Sequence, residues 1–203
     1  MENTYTMPLR VLNVGGNSKA IPLPPQYTEF EHVLLDIDPA GNPDVVCDAR
    51  QLHTLNPAEY DAIYCSHNLE HYYAHEVPHV LAGFRHVLRD SGFVHIRVPD
   101  LQALMQTLSE KQLDLTDLLY QSPAGPITAL DVLYGYGKKI AASGQDFFAH
   151  KTGFTPTSLI KTLRQHGFPW VFTATGNLEI QAVAFSSEPD AVAKQLFNLK
   201  QAA

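Results

Sequence analysis

The sequence predicts an α/β fold: a mostly parallel sheet with helices on both faces, closed by a C-terminal antiparallel strand pair. Three observations lead there. Four short apolar runs in the first half each end in glycine or a polar residue: Leu9–Val14 into Gly15-Gly16, Val33–Leu35 into Asp36, Val45–Cys47 into Asp48, and Ala62–Cys65 into Ser66. Helical spacing appears from Val77 onward, and two further apolar runs flank Gly176-Asn177. Short runs rich in Val, Ile and Leu are strands buried on both faces, as in parallel sheets. Their carboxyl ends deliver polar groups to the sheet edge where ligands bind in open α/β folds.

The elements follow in order. Between the first two strands, Pro22, Pro24 and Pro25 forbid a long helix over Ala20–Tyr27, so a short irregular crossover is expected. A helix over Val77–Leu88 has Pro78 in its first turn and Val77, Val80, Leu81, Phe84 and Leu88 on one face. Asp90-Ser91-Gly92 ends it and turns into a fifth strand, Gly92–Val98. Residues from Leu101 to about Lys151 carry Pro123, Gly125, Pro126, Gly135, Gly137 and Gly144 among aromatic and apolar residues. They are expected to form an insertion over the sheet edge, with helices at Leu101–Ser109 and Thr128–Ala142. Thr155 as N-cap, Pro156 at the first helical position, Leu159, Ile160 and Leu163 on one face, and Gly167 beyond the end mark another helix. Trp170–Thr175 and Glu179–Phe185 then read as a hairpin. One domain over residues 1–188, with an insertion at about 101–152 and a tail at 189–203, is the expected organisation.

A chain of 203 residues with 45% hydrophobic content can bury a substantial core without a second domain. A formal charge of −7 leaves no broad cationic footprint, so no nucleic-acid partner is expected. MENTYTMPLR lacks the apolar centre of a signal peptide, and no run approaches the roughly 18 apolar residues of a membrane span. The expected location is cytoplasmic, away from membranes. Cys47 and Cys65, both within expected strands, read as packing thiols.

At the strand ends, Gly15-Gly16 lets backbone approach a ligand closely, because no Cβ blocks it. Asp36, 21 residues beyond Gly15, has the spacing of a carboxylate that holds ribose hydroxyls. Asp48 either meets the exocyclic amine of adenine or caps a turn. Taken together, VLNVGGNSK, LLDIDP, VVCDA, YDAIYCSHNLEH and FRHVLRDSGFVHIRVPD, in that order, resemble the motifs of the class I S-adenosylmethionine-dependent methyltransferases, in particular the bacterial type 11-like group. HKTGFTPTSLIKTLRQHGF is similar to that group's closing helix, and the resemblance spans about residues 8 to 186. It implies a Rossmann-like fold, S-adenosylmethionine as cofactor, and a cofactor site at Asn13, Gly15, Gly16, Asn17, Asp36, Ile37, Asp48, Ala49, Ser66 and His67. The pattern departs from the family at Asn13, where Asp is common, and at Asn17 and Lys19, where glycines are usual.

His67-Asn68-Leu69-Glu70-His71 also fits H-x-x-E-H, in which two histidines bind zinc and the glutamate acts as base. That pattern requires a helix, whereas this stretch follows directly on a strand and Pro78 starts a helix later. No metal is therefore expected, and a zinc hydrolase is the alternative reading. Methyl transfer from a sulfonium is an in-line displacement that mainly needs alignment and exclusion of water. A base is required only for an un-ionised acceptor, and His71 and His150 are the candidates. Against each stands a structural histidine bonded to a backbone carbonyl. Tyr72, Tyr73, Tyr134, Tyr136, Phe147 and Phe148 are candidates for an acceptor pocket. The expected activity is methyl transfer to a small-molecule or sugar-like acceptor, with an inactive cofactor-binding relative as a further alternative.

Overall fold

Buried strands dominate because the chain's longest apolar runs are too short and too β-branched to be helices. The computed structural model describes residues 8–199. Its main sheet has seven strands: β1 Arg10–Val14, β2 Glu31–Asp36, β3 Val45–Val46, β4 Tyr60–Ser66, β5 Leu88–Pro99, β8 Trp170–Gly176 and β9 Glu179–Phe185. Their order is β3-β2-β1-β4-β5-β9-β8, parallel through β5 and antiparallel at β9 and β8. β1 lies inside the sheet, between β2 and β4, as a run buried on both faces requires.

The two faces are covered unequally. One carries helices α1 (Val77–Val87) and α5 (Pro156–Gln165). Val80, Leu81, Phe84, Leu159, Leu163 and Phe168 pack there on Leu12, Leu35, Ile63, Cys65 and Ile96, forming the main core. On the other face the prolines prevent a helix after β1. Only a 3₁₀ turn, Pro25–Tyr27, stands in that crossover. Tyr27, 3% exposed, packs there with Val11, Ala62, Tyr64, Phe93, Val183 and Phe185. A C-terminal helix, α6 (Ala191–Leu196), adds Ala193, and Phe197 beyond it meets the Phe93 ring at 4.9 Å between centroids. Tyr27 and His95 also exchange a hydrogen bond of 3.1 Å across this second core.

Four expectations are corrected. Asp90-Ser91-Gly92 does not end α1. The helix stops at Val87 and Leu88 already pairs with Tyr60, so the three residues form a bulge inside β5 before pairing resumes at Phe93 opposite Ala62. The run Val45–Cys47 shrinks to a two-residue edge strand with Val46 60% exposed, because it meets only Leu35 and Asp36. Thr128–Ala142 is two helices, α3 (Ala129–Tyr134) and α4 (Gly137–Ser143), broken at Gly135, whose φ is +91°. A Cβ there would lie 2.4 Å from the Phe148 carbonyl oxygen, so glycine is required at this crossing. Finally, the insertion contains an unforeseen hairpin, β6 (Leu118–Ser122) with β7 (Gly125–Thr128).

The insertion begins with α2 (Leu101–Lys111), capped by Asp100, whose Oδ1 accepts the amides of Gln102 and Ala103. Leu104, Ile127, Ala129 and Val132 give it a small core of its own. Its last segment is tied back to the sheet edge: the amides of Lys151 and Thr152 both donate to the Glu70 carbonyl.

Candidate active site

The carboxyl ends of β1, β2, β4 and β5 point toward the insertion, and two cavities lie between them. The smaller, about 240 Å³, is lined by Gly15, Asn17, Asp36, His67, His71 and His150, with Asn68, Tyr136, Lys139, Phe147 and Phe148 completing it. The larger, about 940 Å³, lies between β5, α2, the β6–β7 hairpin and the β8–β9 turn. Asp100, Tyr120, Val132 and Leu178 are among its walls. His67, Tyr136 and His150 belong to both, so the cavities meet at these side chains.

The first strand end is a tight turn. Gly15 has φ +71°, and its amide donates to the Leu35 carbonyl on β2. The Asn68 side chain packs where a Cβ on Gly15 would lie. Asn17, at φ +60°, turns its amide onto Asp36 Oδ2 at 2.9 Å, and the Asp38 amide donates to Oδ1 at 2.9 Å. Two backbone amides thus fix the Asp36 carboxylate at the cavity wall, with lone pairs left for further donors.

Six of the residues predicted from sequence therefore meet around one cavity: Gly15, Asn17, Asp36, His67, His71 and His150. Asn13, Gly16, Ile37, Asp48, Ala49 and Ser66 stand outside its lining. Asn13 turns its amide to His32 Nε2 at 3.1 Å and packs on Gly16. Asp48 caps the 3₁₀ turn Ala49–Thr54 and pairs with Arg50, which also reaches Glu76. Among the aromatic candidates, Tyr136, Phe147 and Phe148 line the smaller cavity, Tyr72 packs on the main core, and Tyr73 and Tyr134 are exposed. Lys139, over the Phe148 ring at 3.9 Å, and Asn68 were not foreseen.

Ser66–His71 forms no α-helix. After β4 the chain turns through His67, at φ +49°, into a 3₁₀ turn at Leu69–His71. A non-glycine residue in this left-handed region stores strain. The turn drives Glu70 inward until its side chain is 1% exposed. Neither carboxylate oxygen accepts a hydrogen bond. His67 Nδ1 lies 3.4 Å and His150 Nε2 3.9 Å from Glu70 Oε1. His67 Nε2 contacts Glu179 at 2.9 Å, and Arg97 binds the other oxygen of Glu179 at 2.8 Å.

Charge follows from this packing. Burial disfavours protonation of His67, but the carboxylates of Glu179 and Glu70 outweigh it and hold its pKa up at about 9. Burial likewise opposes ionisation of Glu70, yet His67, His71 and His150 hold its pKa below the usual value. Burial pushes the His71 pKa down, helped by His150 and opposed by Glu70. His71 has Nδ1 and Nε2 each 3.1 Å from a backbone carbonyl, of Ala149 and His67 respectively. His150 Nδ1 donates to the Val132 carbonyl at 2.9 Å, leaving Nε2 toward Glu70.

No protein-family model and no curated protein matches the sequence. Solved structures do match in fold. A SAM-dependent methyltransferase from Archaeoglobus fulgidus superposes with TM-score 0.54 at 16% identity, over 87% of this chain and 85% of that one. The 1,6-didemethyltoxoflavin-N1-methyltransferase of Burkholderia thailandensis, solved with bound 1,6-didemethyltoxoflavin and S-adenosylhomocysteine, gives 0.51 at 17% identity, over 87% and 70%. The CMeT domain of the citrinin polyketide synthase gives 0.55 at 16% identity over 90% of this chain, which spans only 47% of that structure. With the strand order β3-β2-β1-β4-β5-β9-β8, these matches establish the class I S-adenosylmethionine-dependent methyltransferase fold.

Proposed function

We propose that this chain transfers a methyl group from S-adenosylmethionine to a small-molecule or sugar-like acceptor. The observation that carries the reading is the pair of cavities that meet at His67, Tyr136 and His150, on the sheet edge where this fold binds ligands. The donor set suits the cofactor: a fixed carboxylate at Asp36 for ribose hydroxyls, a Cβ-free turn at Gly15, and the polar side chain of Asn68 beside it. At about 240 Å³ the smaller cavity lies below the usual ligand-pocket range of roughly 300–1,000 Å³. Phe147, Phe148 and Lys139 form the insertion's part of its wall, so binding requires that part of the insertion to move outward.

When bound, the cofactor supplies an electrophilic methyl on a positively charged sulfur. The chain's own residues then have three tasks. Asp36 orients the ribose end. Phe147, Phe148 and Tyr136 exclude water from the junction. The walls of the larger cavity hold the acceptor in line with the methyl group, and proximity of this kind supplies much of the rate. The titration that tests the reading adds S-adenosylmethionine and S-adenosylhomocysteine to purified chain and follows binding by calorimetry. Micromolar binding that is weakened roughly ten- to hundredfold in Asp36→Ala supports it; no binding of either compound refutes it. Residues 120 to 152 are expected to gain protection from hydrogen exchange when cofactor and acceptor are both present.

A further inference from the structure

We propose that Glu70, His71 and His150 form a site for one divalent transition-metal ion at the wall of the smaller cavity, with His150 bordering the larger one as well. One candidate ligand atom from each of the three lies within 4.8 Å of the others. The two imidazole rings meet edge to face with centroids 4.8 Å apart. Tetrahedral ligands about 2.1 Å from an ion stand roughly 3.4 Å apart, so side-chain rotations that move these atoms by about an ångström complete the site.

Independent observations on these side chains point to a cation as their ligand. Both Glu70 oxygens are buried without a hydrogen bond, Oε1 facing only His67 Nδ1 at 3.4 Å and His150 Nε2 at 3.9 Å, a costly state for a carboxylate. His150 commits its Nδ1–H to the Val132 carbonyl, which leaves the Nε2 lone pair facing that carboxylate. Metal-ligating histidines are commonly arranged in this way, one nitrogen anchored to a carbonyl and the other free. His71 has both nitrogens against carbonyl oxygens. A neutral imidazole carries only one N–H, so one lone pair is set against an oxygen. Glu70 and the His150 Nε2 lone pair face each other, and a bound cation would satisfy both and take the His71 nitrogen that now stands against a carbonyl.

Two imidazoles and one carboxylate favour a borderline ion such as Zn²⁺ or Co²⁺ over Mg²⁺ or Ca²⁺. Through His150 the site reaches the junction of the two cavities. Resting on the methyltransferase reading, the ion gives that reaction its acceptor class, a hydroxyl. The ion lowers the hydroxyl pKa. The proton leaves to solvent, the oxygen lone pair forms the O–CH₃ bond, and the C–S bond breaks with its electron pair going to sulfur.

The experiment uses the full chain without an added histidine tag, stripped with chelator, and titrates Zn²⁺ by calorimetry and Co²⁺ by visible absorption. One ion per chain is expected, with cobalt bands of a nitrogen- and oxygen-ligated site. Glu70→Gln and His150→Gln should each weaken binding roughly tenfold or more, whereas His79→Gln, exposed on α1, should leave it unchanged. Absence of stoichiometric binding in the wild type, or equal affinity in the folded variants, overturns the site and leaves protons as the cluster's only cations. Where a variant fails to fold, the wild-type cobalt spectrum decides. S-adenosylmethionine binding without metal binding removes the ion site alone; metal binding without S-adenosylmethionine binding removes the methyltransferase reading alone.

Discussion

Acid should destabilise the chain through His95, which packs among the aromatic rings of the second core. The ring is 4% exposed, sandwiched among Tyr27, Tyr64 and Phe197, with Nδ1 hydrogen-bonded to the Tyr27 hydroxyl. Burial lowers its pKa to about 4, Arg97 adds to the shift, and Glu179 opposes it. In the unfolded chain the ordinary value of about 6.5 returns. The folded pKa is thus depressed for a base, so between about pH 6.5 and 4 the unfolded state binds a proton that the native state refuses. Stability must fall as pH falls through that window. Two-state linkage with these values gives a loss of roughly 2 kcal/mol between pH 7.5 and 5, rising to about 3 kcal/mol at pH 4. Urea unfolding at a series of pH values measures it. The control is the double variant Tyr27→Phe/His95→Phe, which removes the titrating ring and leaves no orphaned hydroxyl. Carboxylates titrate in both proteins, so the difference between the two curves isolates His95. Parallel curves from pH 7.5 to 5 would refute the argument.

Further outcomes are expected elsewhere. Asp36→Ala should weaken binding of S-adenosylmethionine by roughly 1.5–3 kcal/mol, the range for losing a charged hydrogen-bond partner, with the fold intact by circular dichroism. Gly135→Ala forces a Cβ to within 2.4 Å of the Phe148 carbonyl and should break the contact between the His150 amide and the Tyr134 carbonyl, read as faster amide exchange at His150. Thr155→Ala removes a capping box whose hydroxyl accepts the Ser158 amide and should cost about 1 kcal/mol in denaturant unfolding. Phe168→Ala, at a fully buried ring of the main core, should cost roughly 3–5 kcal/mol by the same measurement.

Which of these features the sequence displayed depends on how local their cause is. β1, β2, β4 and β5 were legible because burial on both faces leaves uninterrupted apolar runs, and α5 because Thr155, Pro156 and Ser158 cap it within a few residues. The β6–β7 hairpin was hidden: it turns at Pro123-Ala124, without the usual Asn-Gly signal, and its strands are largely exposed. Gly135 was visible as a glycine, but the need for it arises from Phe148, which packs against it only in the folded insertion. At the site, Asp36 could be placed by its spacing from Gly15. The depth of Glu70 could not, because a five-residue pattern is silent on direction, and His150 reaches it from about eighty residues away.

The insertion of β9 between β5 and β8 governs how the chain is made. During synthesis, β5 leaves the ribosome long before Glu179–Phe185, which it must pair with from Phe93 to Pro99. Until then a long apolar strand presents an open row of amides and carbonyls, a template for pairing with neighbouring nascent chains. Residues 101–176 must be threaded out first, so the sheet closes only after nearly the whole domain has been translated. Productive maturation is therefore a late, long-range event, and yield in a cell should depend on translation speed and chaperone supply more than on the strength of any single contact.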